Sequence, residues 1–362
     1  MSVIEQPAAT RHPLKARLGR LAELVATPLV PSDFSDLIDP LRSSTDLRGR
    51  IVEIRSETAD AATIVIKPGR GWRAHTPGQY LRIGVDIDGV RRWRAYSLTS
   101  PLDRADGLIT ITVKAIPDGL VSNFLVRRAR PGLVVQLDQP TGDFTLPATA
   151  PAKVLFITGG SGITPVMGML RNAIDSLDDV VLLHSAPTPD DVIFDAELRE
   201  LAATGALTLI VRHTDTEGML EAADLEAIVP DLAERETWAC GPVGMLDLLE
   251  QHWAITELKP LHTERFRPAL AAIGEGGTVT FGTTDLTVDA DGATPLLDVG
   301  EDAGVLMPSG CRMGICFGCV TPLVEGSVRD LRTGEITSAA EGDGVLVQTC
   351  ISAAAGACTL AR

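Results

Sequence analysis

Four cysteines near one end of the chain constrain it more than any other feature. Cys311 is followed after four residues by Cys316, after two more by Cys319, and after a further thirty by Cys350. Three thiols crowded on one loop, with a fourth supplied from a distance, is the ligand spacing of a [2Fe–2S] cluster, in which two tetrahedral irons share four thiolates. Gly310, Gly314 and Gly318 interleave with the ligands. Backbone without a Cβ can wrap tightly there and aim N–H groups at sulfur. Such bonds tune a potential that for this cluster type is about −400 mV. Structural zinc usually takes pairs of close cysteines and fits less well. Cys358, in an Ala-rich run, reads as a small buried apolar residue.

The chain has 362 residues, so two further domains can precede the cysteine module. Apolar residues make up 45% and charged residues 22%, a globular balance that excludes a mainly disordered or collagenous chain. No apolar run is long enough for a membrane span, and the first residues lack a basic stretch followed by an apolar core. With only six cysteines, four of them in the ligand pattern, a reducing, cytoplasmic setting is expected. The net charge of −16 argues against a nucleic-acid binder. It is unevenly spread: residues 48–148 carry 15 basic and 10 acidic side chains, residues 149–270 carry 8 and 20, and residues 271–362 carry 4 and 12. An acidic C-terminal module either serves solubility or docks on basic surface.

Four segments are expected. Residues 1–47 form a helical extension: residues 1–10 read as disordered, and Leu14, Leu18, Leu21 and Val25 recur at helical spacing. That helix carries too little charge for a membrane-surface helix and should pack on its own protein. Residues 27–33 are a proline-punctuated connector, and a short helix follows over 34–41. Residues 48–148 change to short β-branched runs, with 79–87 and 90–98 flanking Asp88-Gly89, a two-residue hairpin signal, so an antiparallel barrel or sandwich is predicted. Residues 149–270 alternate apolar strands with helices, as in an open parallel α/β sheet. A Gly/Ala-containing linker over 269–277 then leads into a compact α+β module over 271–362, with a hairpin, a helix over 295–303 and the cysteine loop.

Three further patterns carry chemistry. Arg94-Ala95-Tyr96-Ser97-Leu98-Thr99-Ser100 ends a strand. Alone it could be an ordinary edge strand, yet Arg can pair bidentately with a pyrophosphate, a Tyr ring can stack on a flavin and a Ser hydroxyl can bond a ring nitrogen. Gly119-Leu120-Val121-Ser122 would open a helix, and Gly and Ser at a helix start suit phosphate. Gly159-Gly160-Ser161-Gly162-Ile163-Thr164-Pro165 joins an apolar strand to a helix, the position at a sheet's C-terminal edge where a dinucleotide lies, although it is not the GxGxxG fingerprint. Cys240-Gly241-Pro242 ends a later strand at the same edge. Its thiol either borders a nicotinamide ring or is simply a small buried residue.

Together these residues resemble a ferredoxin–NADP⁺ reductase-type flavoprotein with a plant-type ferredoxin fused at its C-terminus. Arg94, Tyr96, Ser97 and Ser100 match that family's R-x-Y-S-x-x-S flavin motif, Gly119 and Ser122 its G-x-x-S, Gly160 to Pro165 its G-x-G-I-T-P, and Cys240 to Pro242 its C-G-P; Glu264-Arg265-Phe266 resembles its acidic–aromatic end, and Cys311 to Cys319 match C-R-x-G-x-C-x-x-C. The resemblance implies FAD in an antiparallel β-barrel, NAD(P)H on a parallel α/β domain and the cluster in a β-grasp module. It implies Ser97, Cys240 and Glu264 as catalytic residues. Arg94, Ala95, Tyr96, Ser97, Ser100, Val113, Lys114, Gly119, Val121 and Ser122 would bind flavin. Gly160, Gly162, Ile163, Thr164, Pro165, Ser185, Arg212, Cys240, Gly241 and Pro242 would bind the nucleotide, and Cys311, Cys316, Cys319 and Cys350 the irons.

A nicotinamide yields two electrons as a hydride whereas the cluster takes one, and a flavin between them reconciles the count. NADPH-preferring relatives often show Ser-Ala-Arg after the second strand of the nucleotide domain. Here His184-Ser185-Ala186-Pro187 lacks that Arg, so Arg212, ending the next strand, is the expected 2′-phosphate contact and NADPH, rather than NADH, the expected donor. The leader over 27–41, together with 118–125 and 163–170, resembles actinobacterial reductases that serve membrane-bound fatty-acyl desaturases. That implies an integral-membrane di-iron acceptor reached transiently at the membrane surface. The alternatives are the reductase of a Rieske-type or alkane oxygenase, some of which carry FMN, and a redox-sensing module, for which no effector segment is apparent.

Overall fold

The structure is a computed structural model and describes residues 39–42, 46–117, 119–266 and 274–362. The expected helix over 14–25, the connector over 27–33 and most of the helix over 34–41 lie outside the described residues. Pro40–Arg42 is a single 3-10 turn.

The first sheet has six strands: β1 Arg48–Ser56, β2 Ala61–Pro68, β3 Tyr80–Ile87, β4 Val90–Ser97, β5 Ile109–Lys114 and β6 Val134–Leu137, in the order β4-β3-β6-β1-β2-β5 and antiparallel throughout. A bridge between Leu98 and Ile111 brings the β4 end against β5 and closes the sheet into a barrel. The alternating apolar positions point inward as a strand's two-residue period requires: Ile51, Ile64, Ile66, Leu81, Ile83 and Ile111 are fully buried. The β3–β4 turn is Asp88-Gly89, both at positive φ, the two-residue hairpin expected from sequence.

The second sheet is parallel: β7 Lys153–Gly159, β8 Asp179–Ala186, β9 Thr208–His213, β10 Glu236–Cys240 and β11 Leu261–Glu264, in the order β11-β10-β7-β8-β9. Strands buried on both faces read as continuous apolar runs, and residues 154–157 are all fully buried. The chain winds outward from β7 through β8 and β9, then returns to β10 on β7's other side. The crevice between the C-terminal ends of β7 and β10 is therefore the topological switch point, where ligands of open α/β sheets bind. Helix α1 (Ile163–Ala173) follows β7, and α2 (Val243–Ala254) follows β10.

The third sheet is mixed: β12 Gly274–Phe281, β13 Leu286–Gly292, β14 Val320–Asp330, β15 Ile336–Ala339, β16 Val345–Gln348 and β17 Ser352–Leu360, with β12 and β17 parallel and the other pairings antiparallel. Helix α3 (Leu296–Asp302) packs Leu296, Leu297 and Val299 into its core. The glycines assigned to the linker over 269–277 are here a correction: Gly274 to Gly277 open β12. Gly276 sits at φ +80° where the β12–β13 register shifts, and a Cβ on Gly277 would lie 2.1 Å from the Gly356 carbonyl. A bulged strand crossing another backbone this closely accepts only glycine, and so resembles a linker in sequence. No helix among the described residues is long and apolar enough to cross a membrane.

Candidate functional site

The four cysteines come together in two pairs. Cys311 and Cys316 share a hydrogen bond, as do Cys319 and Cys350. The first pair sits on a loop over 311–319 in which Arg312, Gly314 and Phe317 all take positive φ. That path turns main-chain N–H groups towards sulfur: Cys311 N and Gly318 N donate to Cys316 Sγ (3.1 and 3.4 Å), and Met313 N donates to Cys311 Sγ (3.3 Å). The Cys311 thiol, these N–H groups and the Arg82 guanidinium pull the Cys316 thiol down to about 5, while Cys311 moves up. Beside Cys350, Cys319 is lowered to about 7. Gln348 donates to Gly314 O and Thr349 to Cys319 O (both 3.0 Å), fixing the remote ligand's strand end against the loop. Among the described residues no three donors converge on one point, as a single metal ion would need. Two facing pairs suit a dinuclear cluster better than structural zinc.

On the barrel, Arg94, Ala95, Tyr96 and Ser97 form the end of β4. Arg94 is half-buried and donates to Trp93 O (2.7 Å). It forms no ion pair among the described residues, and burial, followed by the nearby Arg312 cation, pulls its pKa down to about 10. Tyr96 is driven up by burial. The Ser97 and Ser100 hydroxyls are buried with no partner. A half-buried cation with no ion pair among the described residues and two orphaned hydroxyls on one strand end are what a phosphate-bearing aromatic cofactor would satisfy. Gly119 precedes a short helix over Leu120–Asn123, and a Cβ there would lie 2.4 Å from Ser122 Oγ, which itself donates to Gly119 O (3.2 Å). Val113 and Val121 are buried in the barrel core and Lys114 is paired with Asp60 (2.7 Å), so these three offer a cofactor mainly their main chain.

At the switch point, glycine permits contacts that no other residue would. A Cβ on Gly162 would lie 2.0 Å from Cys240 O, one on Gly159 2.7 Å from Pro242 Cδ, and one on Gly241 2.9 Å from Gly159 N. The loop over 159–165 and Cys240-Gly241-Pro242 are thus packed backbone to backbone. Ile163, Thr164 and Pro165 start α1 fully inside the protein, with Thr164 Oγ1 donating to Ser161 O (2.9 Å). Cys240 faces Glu264 across the β10–β11 register. Burial pushes Glu264 up to about 8 and its Oε2 has no partner; burial, then Glu264, drives the Cys240 thiol well up. Both shifts favour the uncharged forms.

Helix α1 also joins the two sites. A Cβ on Gly168 would lie 2.3 Å from Leu98 O; Arg171 donates to Thr99 O (2.6 Å) and Asn172 to Ser100 O (3.1 Å). The helix that begins at the nucleotide loop is therefore bolted to the three residues after Ser97. Ser185, at the end of β8, has a buried hydroxyl with no partner and pairs in register with Arg212. The Arg212 guanidinium is turned to the following loop: it donates to the carbonyls of Glu217, Gly218 and Met219 (2.8, 2.9 and 3.2 Å) and pairs with Asp224 (3.2 Å).

Several site residues escaped the sequence reading. Tyr80 is buried at the start of β3, within electrostatic reach of Cys311, Glu264 and Cys316; burial, then these groups, push its phenol up to about 12. The Arg82 Nη1 would lie 2.8 Å from a Cβ on Gly310 and 3.2 Å from one on Gly318, and Arg82 pairs with Asp138. Arg92 of the barrel pairs with Glu301 of the cysteine module, and within the module Glu301 and Asp298 both pair with Arg312. A basic residue within the cysteine motif and four arginines in the β3–β4 hairpin were the available signals.

These units match known families in the same order. The oxidoreductase FAD-binding domain matches residues 69–146, the oxidoreductase NAD-binding domain residues 156–251 and the 2Fe-2S iron–sulfur cluster binding domain residues 279–355. An NADPH oxidoreductase of Mycobacterium tuberculosis is 50% identical over 361 residues, covering 97% of this chain and 94% of the relative. The chain belongs to this oxidoreductase family. The ferredoxin reductase component of the 3-ketosteroid-9-alpha-monooxygenase of Mycolicibacterium smegmatis is 32% identical over 319 residues, covering 80% of this chain and 89% of the relative. The crystal structure of phthalate dioxygenase reductase shares the fold: TM-score 0.62 at 21% identity, covering 88% of this chain and 98% of that one. This oxidoreductase is thus an NAD(P)H-dependent electron-transfer reductase with FAD and [2Fe–2S] domains, as its motifs implied.

Proposed function

We propose that this reductase takes its electrons from NADPH and delivers them, through FAD and the cluster, to a membrane-bound fatty-acyl desaturase from the cytoplasm. The observation that carries the path is that the barrel is held on both sides, by α1 of the nucleotide sheet at residues 98–100 and by the cluster loop, whose Gly310 and Gly318 lie against Arg82 of β3. When bound, the flavin would supply the exchange between a two-electron hydride and single electrons. The chain's own residues do the placing. Arg94 binds phosphate, Tyr96 and Ala95 hold the ring, and the unpartnered Ser97 and Ser100 hydroxyls offer hydrogen bonds to it. Gly119, Val121 and Ser122 present main chain to the phosphates, and Val113 and Lys114 to the ring's edge. Gly160, Gly162, Ile163, Thr164, Pro165, Gly241 and Pro242 shape the nicotinamide crevice. Cys240 and Glu264 border the hydride path as neutral groups, and closing that crevice excludes water.

NADPH rather than NADH is favoured by the 50%-identical relative, an NADPH oxidoreductase, and by the unpartnered Ser185 hydroxyl. Arg212 reaches a 2′-phosphate only by leaving the carbonyls it now bonds. The desaturase rests on the resemblance of residues 27–41, 118–125 and 163–170. A second reading, an oxygenase as acceptor, is favoured by the monooxygenase reductase component among the relatives. Reconstitution separates them. NADPH, this protein and desaturase-containing membranes with acyl-CoA should yield a double bond; turnover of a soluble oxygenase instead would replace the desaturase.

A further inference from the structure

We propose that the cysteine module completes the flavin's phosphate site: Arg312 on the cluster loop and Arg94 on β4 form one anion site across the seam between module and barrel. The inference rests on the assignment of Arg94 to flavin phosphate.

The seam holds five charges. Arg92 and Arg94 come from the barrel; Asp298 and Glu301, from α3, and Arg312 come from the module. Glu301, with only 13% of its side chain exposed, pairs through Oε1 with Arg92 Nη1 (3.1 Å) and through Oε2 with Arg312. Asp298 takes the other Arg312 nitrogen. Three cations thus meet two carboxylates. Arg94 is the cation left over, and among the described residues it donates only to the neighbouring Trp93 carbonyl. Arg312 is held in the left-handed region at φ +60°, its Nε buried without a partner. A residue with a Cβ seldom takes that conformation, and here its side chain is held by the two carboxylates, one of which also pairs with Arg92 on the strand that carries Arg94.

Arg92 and Arg94, two apart on β4, share a face of that strand, so the carboxylate that pairs Arg92 also ties Arg312 to the face on which Arg94 lies, and one positive charge there is left uncompensated. Guanidinium forks suit phosphate oxygens in paired hydrogen bonds, and Arg94 is the arginine of the flavin motif. A phosphate there would balance that charge and tie module to barrel. Because binding free energies are reciprocal, flavin phosphate would stabilise the docked module as much as the docked module favours flavin phosphate.

The test uses full-length protein stripped of flavin but retaining its cluster, titrated with FAD and with riboflavin, which has no phosphate. Arg312→Gln should weaken FAD about tenfold, ~1.4 kcal/mol, leave riboflavin unchanged, and be partly rescued by Arg312→Lys. In the unmodified protein, FAD should raise the temperature at which the cluster's visible absorbance bleaches more than riboflavin does at equal occupancy. If Arg312→Gln loses its cluster, that bleaching comparison decides alone. Unchanged FAD affinity in Arg312→Gln, or equal protection by the two flavins, overturns the proposal. Weakening by Arg94→Gln without weakening by Arg312→Gln removes the composite site and leaves the Arg94 assignment standing. Equal affinity for FAD and riboflavin in the unmodified protein removes both.

Discussion

Replacing Gly162 with Ala should damage the nucleotide site out of proportion to a single methyl group. The residue has an ordinary helical φ, so no backbone strain is involved. The obstacle is space: the new Cβ would sit 2.0 Å from Cys240 O, 2.4 Å from its carbonyl carbon and 2.7 Å from Gly241 N. Carbon–oxygen contacts between backbones settle at about 3.3 Å or more, so loop and strand must part by roughly 1.3 Å. No flexible side chain can yield, because every close atom is main chain, and the flanking Ile163 and Trp238 are fully buried. Overpacking a dense interior costs about 1–3 kcal/mol, and backbone against backbone puts this at the upper end, roughly a 10 °C fall in melting temperature for a unit of this size.

Two neighbours calibrate the result. Gly160 has φ +53° and open space around it, so Gly160→Ala meets only the left-handed penalty of about 1–2 kcal/mol. Gly244 lies in α2 with nothing near, so Gly244→Ala should gain about 0.5–1 kcal/mol. Thermal melts should rank the proteins Gly244→Ala, parent, Gly160→Ala, Gly162→Ala. Anaerobic stopped-flow should show hydride transfer from NADPH slowed most in Gly162→Ala. A Gly162→Ala protein that melts with Gly160→Ala and reduces flavin at the parent rate would refute the close-packed crevice.

Cys316→Ser should abolish reduction of a one-electron protein acceptor and leave NADPH–ferricyanide turnover largely intact, since ferricyanide can draw from the flavin; equal loss of both would place the cluster wrongly in the path. Glu264 has a folded pKa raised to about 8 from a usual value near 4.3, so the native state binds the extra proton between those limits and stability falls as pH rises through them. Glu264→Gln lacks that slope, and its stability advantage should widen from pH 5.5 to pH 8 by up to about 1.4 kcal/mol per unit; a constant advantage would contradict the burial. Arg212→Ala should lower the ratio of kcat/KM for NADPH over NADH if the side chain exchanges its carbonyls for a 2′-phosphate. It should also lower the melting temperature modestly by freeing the loop over 217–219, and an unchanged ratio would leave Arg212 that structural task alone.

What was legible in the sequence had a local cause. The Asp88-Gly89 hairpin is written in two adjacent residues that accept positive φ. β7 is a continuous apolar run because it is covered on both faces. The cysteine loop is a spacing. β17 was legible only as an Ala-rich, strand-like run around Cys358, because Ser352–Leu360 is almost all small residues, and pairing with β12 and β14 makes it a strand. β14, which carries Pro322 and Gly326, hides for a related reason: its irregularities are register shifts against β17, and a Cβ on Gly326 would lie 2.1 Å from Ala357 O. In each case the partner that makes the strand is remote in sequence.

The same distinction governs the site. Each cofactor motif is contiguous because one turn or strand end contacts one cofactor, so Arg94-Ala95-Tyr96-Ser97 and Gly160 to Pro165 can be read without a fold. Electron transfer, however, depends on how the three units sit against one another, and that is set by residues with no motif of their own. Gly168, Arg171 and Asn172 bind the nucleotide helix to the carbonyls of Leu98, Thr99 and Ser100. Arg82 lies against the cluster loop from β3, and Glu301 joins Arg92 to Arg312. Each of these contacts crosses 70 or more residues of chain or a boundary between units. Yet two of the seams close on β4 or just after it, at residues 98–100 and at Arg92. β4 with the residues just after it is therefore the common anchor of the molecule: a change there, even one that spared the flavin, would loosen the nucleotide helix on one side and the cysteine module on the other.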